Sequence, residues 1–195
     1  MSARDRILGR VREALAAREP ASHPGDFEGW RAEPALPPVD AFVRTFGAAG
    51  GEIVRVEDEA RAGAWLAEFS SAFATAVVGR TVPPLLRPRL DECPADTAEL
   101  GVSMAACAIG ETGSLVLRAE DGRRAQLLPP THVVFVNSSH TFATLRDALL
   151  ASKEALPSAI GLHSGPSKSA DIGQILVQGV HGPGRVIAVL IGEPA

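Results

Sequence analysis

Two hydrophobic periods alternate along the chain. Ile7, Leu8, Val11 and Leu15 recur at helical spacing, which predicts a helix over residues 3–18, with Ser2 as its cap and Asp5 three positions on. Asp40 followed by Phe42, Val43 and Phe46, with Gly47 and Gly50 beyond, predicts a second helix. A strand is predicted over 52–56, a helix over 58–70 with Trp65, Leu66 and Phe69 inward, and a strand over 74–78. No element is assigned to the Pro-rich passage 81–94. Short apolar runs at 101–109 and 114–118 read as strands, and Asp121-Gly122 as a turn. The second half predicts a strand over 132–136, a helix over 141–151 capped by Ser139, and a strand over 158–162. A helix over 169–178 and a final buried strand over 186–191 follow.

Near-continuous apolar strands separated by amphipathic helices predict an α/β fold, a mostly parallel sheet with helices on both faces. Between the first helix and this alternation lies a stretch with Pro20, Pro24, Pro34, Pro37, Pro38, Gly25 and Gly29, in which Trp30 is a candidate anchor. Such a segment sustains neither a helix nor a central strand. The expected organisation is therefore an N-terminal helical arm and linker over 1–38 and one α/β domain over 39–195.

Composition narrows the function classes. The 195 residues are 46% hydrophobic and 22% charged, as expected of a globular chain. Lys plus Arg total 19 against 23 for Asp plus Glu, a net charge of −4, and Tyr is absent. Without a basic excess or a stacking platform, nucleic acid is not an expected partner. Two cysteines, Cys93 and Cys107, cannot by themselves build a four-cysteine cluster or zinc site. Cys107, in a run of small apolar residues, reads as a core thiol. Charged residues interrupt the N-terminus and no apolar run reaches about 18 residues, so neither a secretory signal nor a membrane span is expected, and the cytoplasm is the expected location.

Three Gly-rich polar segments break the apolar background, and all three are expected outside the carboxyl ends of parallel strands, where such sheets bind ligands. Residues 108–114 hold Glu111, Thr112, Gly113 and Ser114. Glu111 is a candidate base or nucleophile, against the blander role of an exposed turn residue. In 161–172, Gly165, Ser167, Lys168, Ser169 and Asp171 stand where a strand gives way to the predicted helix. A helix start with Ser hydroxyls and a Lys suits a carboxylate or a phosphate, although capping alone would explain the same residues. In 178–184, His181 and Gly182 lie in a loop shaped by three glycines and Pro183. His181 is the second catalytic candidate, as a general acid or base. His132, after Pro129-Pro130, either faces the same cleft or opens a buried strand. No His spacing typical of a metal site occurs, and the Walker, dinucleotide and nucleophile-elbow motifs are missing.

Four of these runs in this order carry a family resemblance: Ala-Ile-Gly-Glu-Thr-Gly-Ser-Leu-Val-Leu (108–117), Leu-Pro-Pro-Thr-His-Val (128–133), Gly-Pro-Ser-Lys-Ser-Ala-Asp-Ile (165–172) and Gly-Val-His-Gly-Pro (179–183). Together they resemble the lactate utilization protein C family, the LUD domain. The chain departs from that family's commonest pattern at Lys168-Ser169, where Arg-Thr is usual, and at Gly173, where an acid is frequent. Lys keeps the charge and loses the bidentate fork. The resemblance implies a fold similar to the sugar-phosphate isomerase and CoA-transferase group. It also implies a role in oxidising L-lactate to pyruvate beside two partner subunits that carry iron–sulfur clusters, with no cofactor on this chain. On that reading Lys168 and the helix start meet the lactate carboxylate, and His181 or Glu111 takes the hydroxyl proton. The alternatives are a stand-alone isomerase- or CoA-transferase-like protein acting on an anionic small molecule, and an interaction module with an idle cleft.

Overall fold

The computed structural model describes residues 2–16, 36–153, 157–170 and 176–193. The chain divides into two compact units, Met1–Glu33 and Pro34–Ala195. In the first, α1 (Ala3–Ala16) starts as its sequence predicts. Ser2 Oγ accepts from the Asp5 amide, and the Asp5 carboxylate accepts from the Ser2 amide and hydroxyl. That reciprocal cap holds the Asp5 carboxyl below its ordinary range. Most of the predicted linker, Trp30 included, lies outside the described residues.

The second unit begins with α2 (Pro38–Ala48), which starts two residues ahead of the predicted cap. Pro38 fills the first helical position, where its missing amide hydrogen costs nothing, and Asp40 sits in the first turn with Arg55 3.5 Å away. Then follow β1 (Glu52–Val56), α3 (Glu59–Ser70), β2 (Thr75–Val78), β3 (Asp91–Glu92), β4 (Leu100–Met104), β5 (Cys107–Ile109) and β6 (Ser114–Arg118). Asp58, predicted as the first residue of the helix, is instead the cap of α3, accepting from the Arg61 amide. The remainder is α4 (Arg123–Leu127), β7 (Thr131–Asn137), β8 (Thr141–Phe142), α5 (Leu145–Ser152), β9 (Ile160–His163), β10 (Lys168–Ala170), β11 (Leu176–Gln178) and β12 (Arg185–Ile191).

Six strands form one parallel sheet in the order β1-β12-β7-β4-β2-β3. The fold is α/β with a mostly parallel sheet, as the alternation predicts. Alternation along β7 and β12 decides which layer each side chain joins. Val133, Phe135, Ile187 and Val189 face α3, where Ala62 and Leu66 complete one core. Val134, Val136, Ala188 and Leu190 face the other way, onto Phe42 and Phe46 of α2 and onto Leu115 and Leu117 of β6. Burying side chains of this size stabilises by about 1.5–3 kcal/mol each.

The second layer departs from the expectation of helices on both faces. Part of it is a four-stranded sheet in the order β8-β5-β6-β9, with β6 antiparallel to both β5 and β9. The predicted strand 101–109 is in fact two: β4 belongs to the large sheet, and β5 to the small one after a break at Ala105-Ala106. The helix predicted over 141–151 is shorter and later. Ser139 lies in a 3₁₀ turn, and Thr144 is the cap of α5, accepting from the Asp147 amide. The predicted helix over 169–178 does not form in its described residues. Lys168–Ala170 and Leu176–Gln178 pair instead as an antiparallel hairpin. No helix among the described residues is long and apolar enough to cross a membrane.

Candidate functional site

Hydrogen bonds link the first Gly-rich segment to the second and the second to the third, and the last two stand at the end of the parallel sheet opposite to the one predicted. The loop over 178–184 enters β12 at its first residue, and Ala49–Gly51 leads into β1. Arg185 of β12 pairs with Thr131, the first residue of β7. The second and third loops therefore stand at the amino ends of these strands, whereas Gly110 and Glu111 of the first bond to Phe142, Ala143 and Leu145, which follow β7. Parallel sheets bind ligands at carboxyl ends because loops and helix starts gather there, so that argument does not transfer to the second and third loops.

The turn from β5 to β6 is built against α2. Gly113 has φ +60°, and a Cβ there would lie 2.4 Å from the Phe46 amide nitrogen. Thr45 Oγ1 ties the layers by donating toward Gly110 O at 2.8 Å and Ala41 O at 2.7 Å. The Glu111 carboxylate accepts from the Leu145 amide at 2.7 Å, at the first residue of α5. It therefore satisfies a helix-start donor across the layer. Thr112, Ser114 and Ser164 form a hydroxyl relay, with Oγ–Oγ separations of 2.7 and 2.6 Å. Ser114 is buried in that relay, which fastens the first loop to the second. Ser164 was not among the predicted residues. Its only sequence signal is its place beside His163 and Gly165.

The second loop is likewise fastened. With no helix at 167–170, no row of free helix-start amides faces an anion there, and this correction removes the dipole argument for that segment. Lys168 Nζ donates to Ala49 O at the C-terminus of α2, where a cation complements the helix dipole. Gly165 has φ +104°, and a Cβ on it would lie 3.1 Å from the same carbonyl oxygen. Ser169 sits opposite Val177 in the hairpin. Asp171 lies outside the described residues. Ser167 joins the third loop, donating its amide to Pro183 O at 2.8 Å and accepting from the Gly179 amide at 2.9 Å. A Cβ on Gly182 would lie 3.2 Å from Ser167 Cβ, so glycine permits that approach. His181 is exposed on the same loop.

The most distinctive electrostatic environment belongs to His132 and His163. His132 is fully buried. Its Nε2 shares a 2.9 Å hydrogen bond with Ser103 Oγ of β4, and its Nδ1 has no hydrogen-bond partner among the described residues. Burial, with the neighbouring His163 adding to it, pushes its pKa down to about 3. The His163 ring meets it edge-on, with centroids 6.0 Å apart, and burial lowers its pKa as well. Both imidazoles are neutral at neutral pH.

His163 lines a cleft of about 250 Å³ between α4 and β9, together with Arg123, Gln126, Leu127, Ile160 and Gly161. Gln126 is buried and fixed by donation to Arg118 O at 2.8 Å. A Cβ on Gly161 would lie 3.0 Å from His163 Nε2. Of these residues only His132, behind the cleft, was predicted. A His two residues after a Gly on one strand was the available signal for the rest, since positions two apart share a face.

The LUD domain model matches residues 94–191, which include the cleft, all three loops and the central strands β4, β7 and β12. The lactate utilization protein C of Macrococcus caseolyticus is 34% identical over 107 residues, covering 51% of this chain and 46% of that protein. The lactate utilization protein C of Deinococcus radiodurans is 35% identical over 118 residues, covering 58% and 53%. The chain thus spans about half the length of the curated relatives it matches. Among solved structures, a DUF162 family protein from Deinococcus radiodurans has 23% sequence identity and a TM-score of 0.60, covering 80% of this chain and 99% of that one. That likeness bears on the fold alone.

Proposed function

The chain belongs to the LUD domain family, and on that premise we propose that it serves L-lactate utilisation in the cytoplasm as a subunit without a redox centre of its own. The observation that carries this reading is the 34–35% identity to relatives named lactate utilization protein C. Oxidising L-lactate to pyruvate removes two electrons and two protons, one proton from the C2 hydroxyl and one from C2. On this reading the electrons pass to iron–sulfur clusters on two partner subunits. The two cysteines here cannot hold such a cluster, Cys107 being buried with its thiol pushed up to about 11 by desolvation.

The division of labour fits the geometry described above. Side chains around the loops are spent on holding the layers together, and the neutral imidazole at the cleft suits hydrogen bonding to a small ligand. The alternative, an isomerase- or CoA-transferase-like protein with a phosphate cradle, drew its cradle from a helix start at 167–170 that the hairpin replaces.

Deleting the gene should abolish growth on L-lactate as sole carbon source, and the full chain in trans should restore it. A tagged chain should retain two cysteine-rich proteins from lactate-grown cells. The chain purified alone should not reduce an artificial acceptor when given lactate. A deletion strain that oxidises lactate at the parental rate would remove the proposal.

A further inference from the structure

The geometry points to the cleft between α4 and β9 as a binding site for a small monocarboxylate bearing an oxygen at C2. Arg123 would hold the carboxylate, and His163 the C2 oxygen. The choice of a C2-oxygenated acid rests on the lactate reading, whereas the cleft and its cation do not.

Four observations converge on it. First, the cleft is about 250 Å³, at or below the small end of the pockets that take drug-sized ligands. An acid of about six heavy atoms fits it with room left for water. Second, Arg123 is exposed at the cleft wall and makes no ion pair with any described residue, unlike its neighbour Arg124, which lies 3.7 Å from Asp96. A guanidinium fork matches a carboxylate in two parallel hydrogen bonds. Third, neither nitrogen of His163 bonds to a described residue, although the ring is largely enclosed. A neutral imidazole offers one donor and one acceptor, so it can serve a C2 hydroxyl or a C2 carbonyl alike. Fourth, Leu127 and Ile160 line the same space and would meet a methyl group.

Gly161 sets the clearance, because its missing Cβ leaves room for the His163 ring. Behind the ring, His132 is anchored on Ser103, which fixes the surface that His163 packs against. His132 is accordingly a positioning residue.

The test is isothermal titration of the full-length chain with L-lactate, pyruvate, propionate and inorganic phosphate. Lactate or pyruvate should bind saturably, and propionate, which lacks the C2 oxygen, should bind at least tenfold more weakly. Arg123→Gln, a surface change, should weaken binding at least tenfold without altering the thermal midpoint. His163→Phe, which keeps a ring and removes both nitrogens, should erase the preference over propionate. Gly161→Val should abolish binding by filling the cleft; if it does not fold, the other two variants decide. No saturable binding of either C2-oxygenated acid, binding of phosphate alone, or binding unaffected by Arg123→Gln each overturns the site. Lactate-dependent growth lost on deletion without carboxylate binding sinks the cleft and spares the function. Arg123-dependent binding in a chain whose deletion leaves lactate growth intact does the reverse.

Discussion

At the scale of single residues, the glycines and polar groups around the loops are explained first by packing. Gly113 combines a left-handed backbone with a close approach to α2, so Gly113→Ala should be among the most damaging single changes. The conformational term is about 1–2 kcal/mol. Forcing a methyl to 2.4 Å from the Phe46 amide adds an overpacking cost of about 1–3 kcal/mol. Urea denaturation should record a loss of roughly 2–5 kcal/mol, with Gly122→Ala, whose Cβ would meet open space, costing only the conformational share. His132 supplies a second expectation, in pH. Its folded pKa lies near 3 against an ordinary 6.5, so the unfolded chain binds the proton first as pH falls. Its contribution is fully present above pH 6.5 and is lost progressively from there toward pH 3, at up to about 1.4 kcal/mol per pH unit for one proton. His132→Gln should flatten that part of the stability profile measured between pH 7.5 and 4.5, even if it lowers stability at neutral pH. The sequence offered His132 as either a cleft residue or the start of a buried strand. It is buried, and what separates the alternatives is its partner Ser103, 29 positions earlier, which no local pattern reveals.

At the scale of elements, legibility followed the range of the forces involved. α3 could be read directly because its apolar spacing is a local signal. The helix expected over 169–178 was not, because Ile172, Ile175 and Leu176 have helical spacing while Lys168–Ala170 find strand partners in Leu176–Gln178. A short apolar run does not decide between the two. The cap of α5 was misplaced although Thr144 and Asp147 stand three apart; the earlier Ser139 competed for the role and is held by the Asn137 side chain instead. Lys168, expected as a ligand cation, sits at the C-terminus of α2. Lys168→Ala should therefore lower stability by about 0.5–1 kcal/mol, the scale of an exposed cation at a helix end, and the loss should shrink in high salt. An unchanged denaturation midpoint at low ionic strength would remove the capping role.

At the scale of the whole molecule, every described residue of the three hydrophobic clusters lies at or after Val39. The second unit thus has a core of its own, and such a unit is expected to fold by itself. The alternation of apolar strands and helices was enough to give the class, because a sheet apolar on both faces must be covered twice. It could not reveal that part of one cover is a second sheet, since β5 and β6 are as buried and apolar as the strands they cover. Nor could it tell which end of the sheet the Gly-rich loops occupy, since that depends on whether each loop enters or leaves a strand of the large sheet. These points meet in one measurement. A chain of residues 34–195 should keep the far-UV circular dichroism of a mixed α/β protein and unfold in a single cooperative transition. Its titration with L-lactate should match that of the full chain, because the cleft residues Arg123, Gly161 and His163 all lie within this unit. A non-cooperative melt would mean that the first unit completes the fold, and a cooperative melt with altered lactate affinity would mean that it contributes to the site.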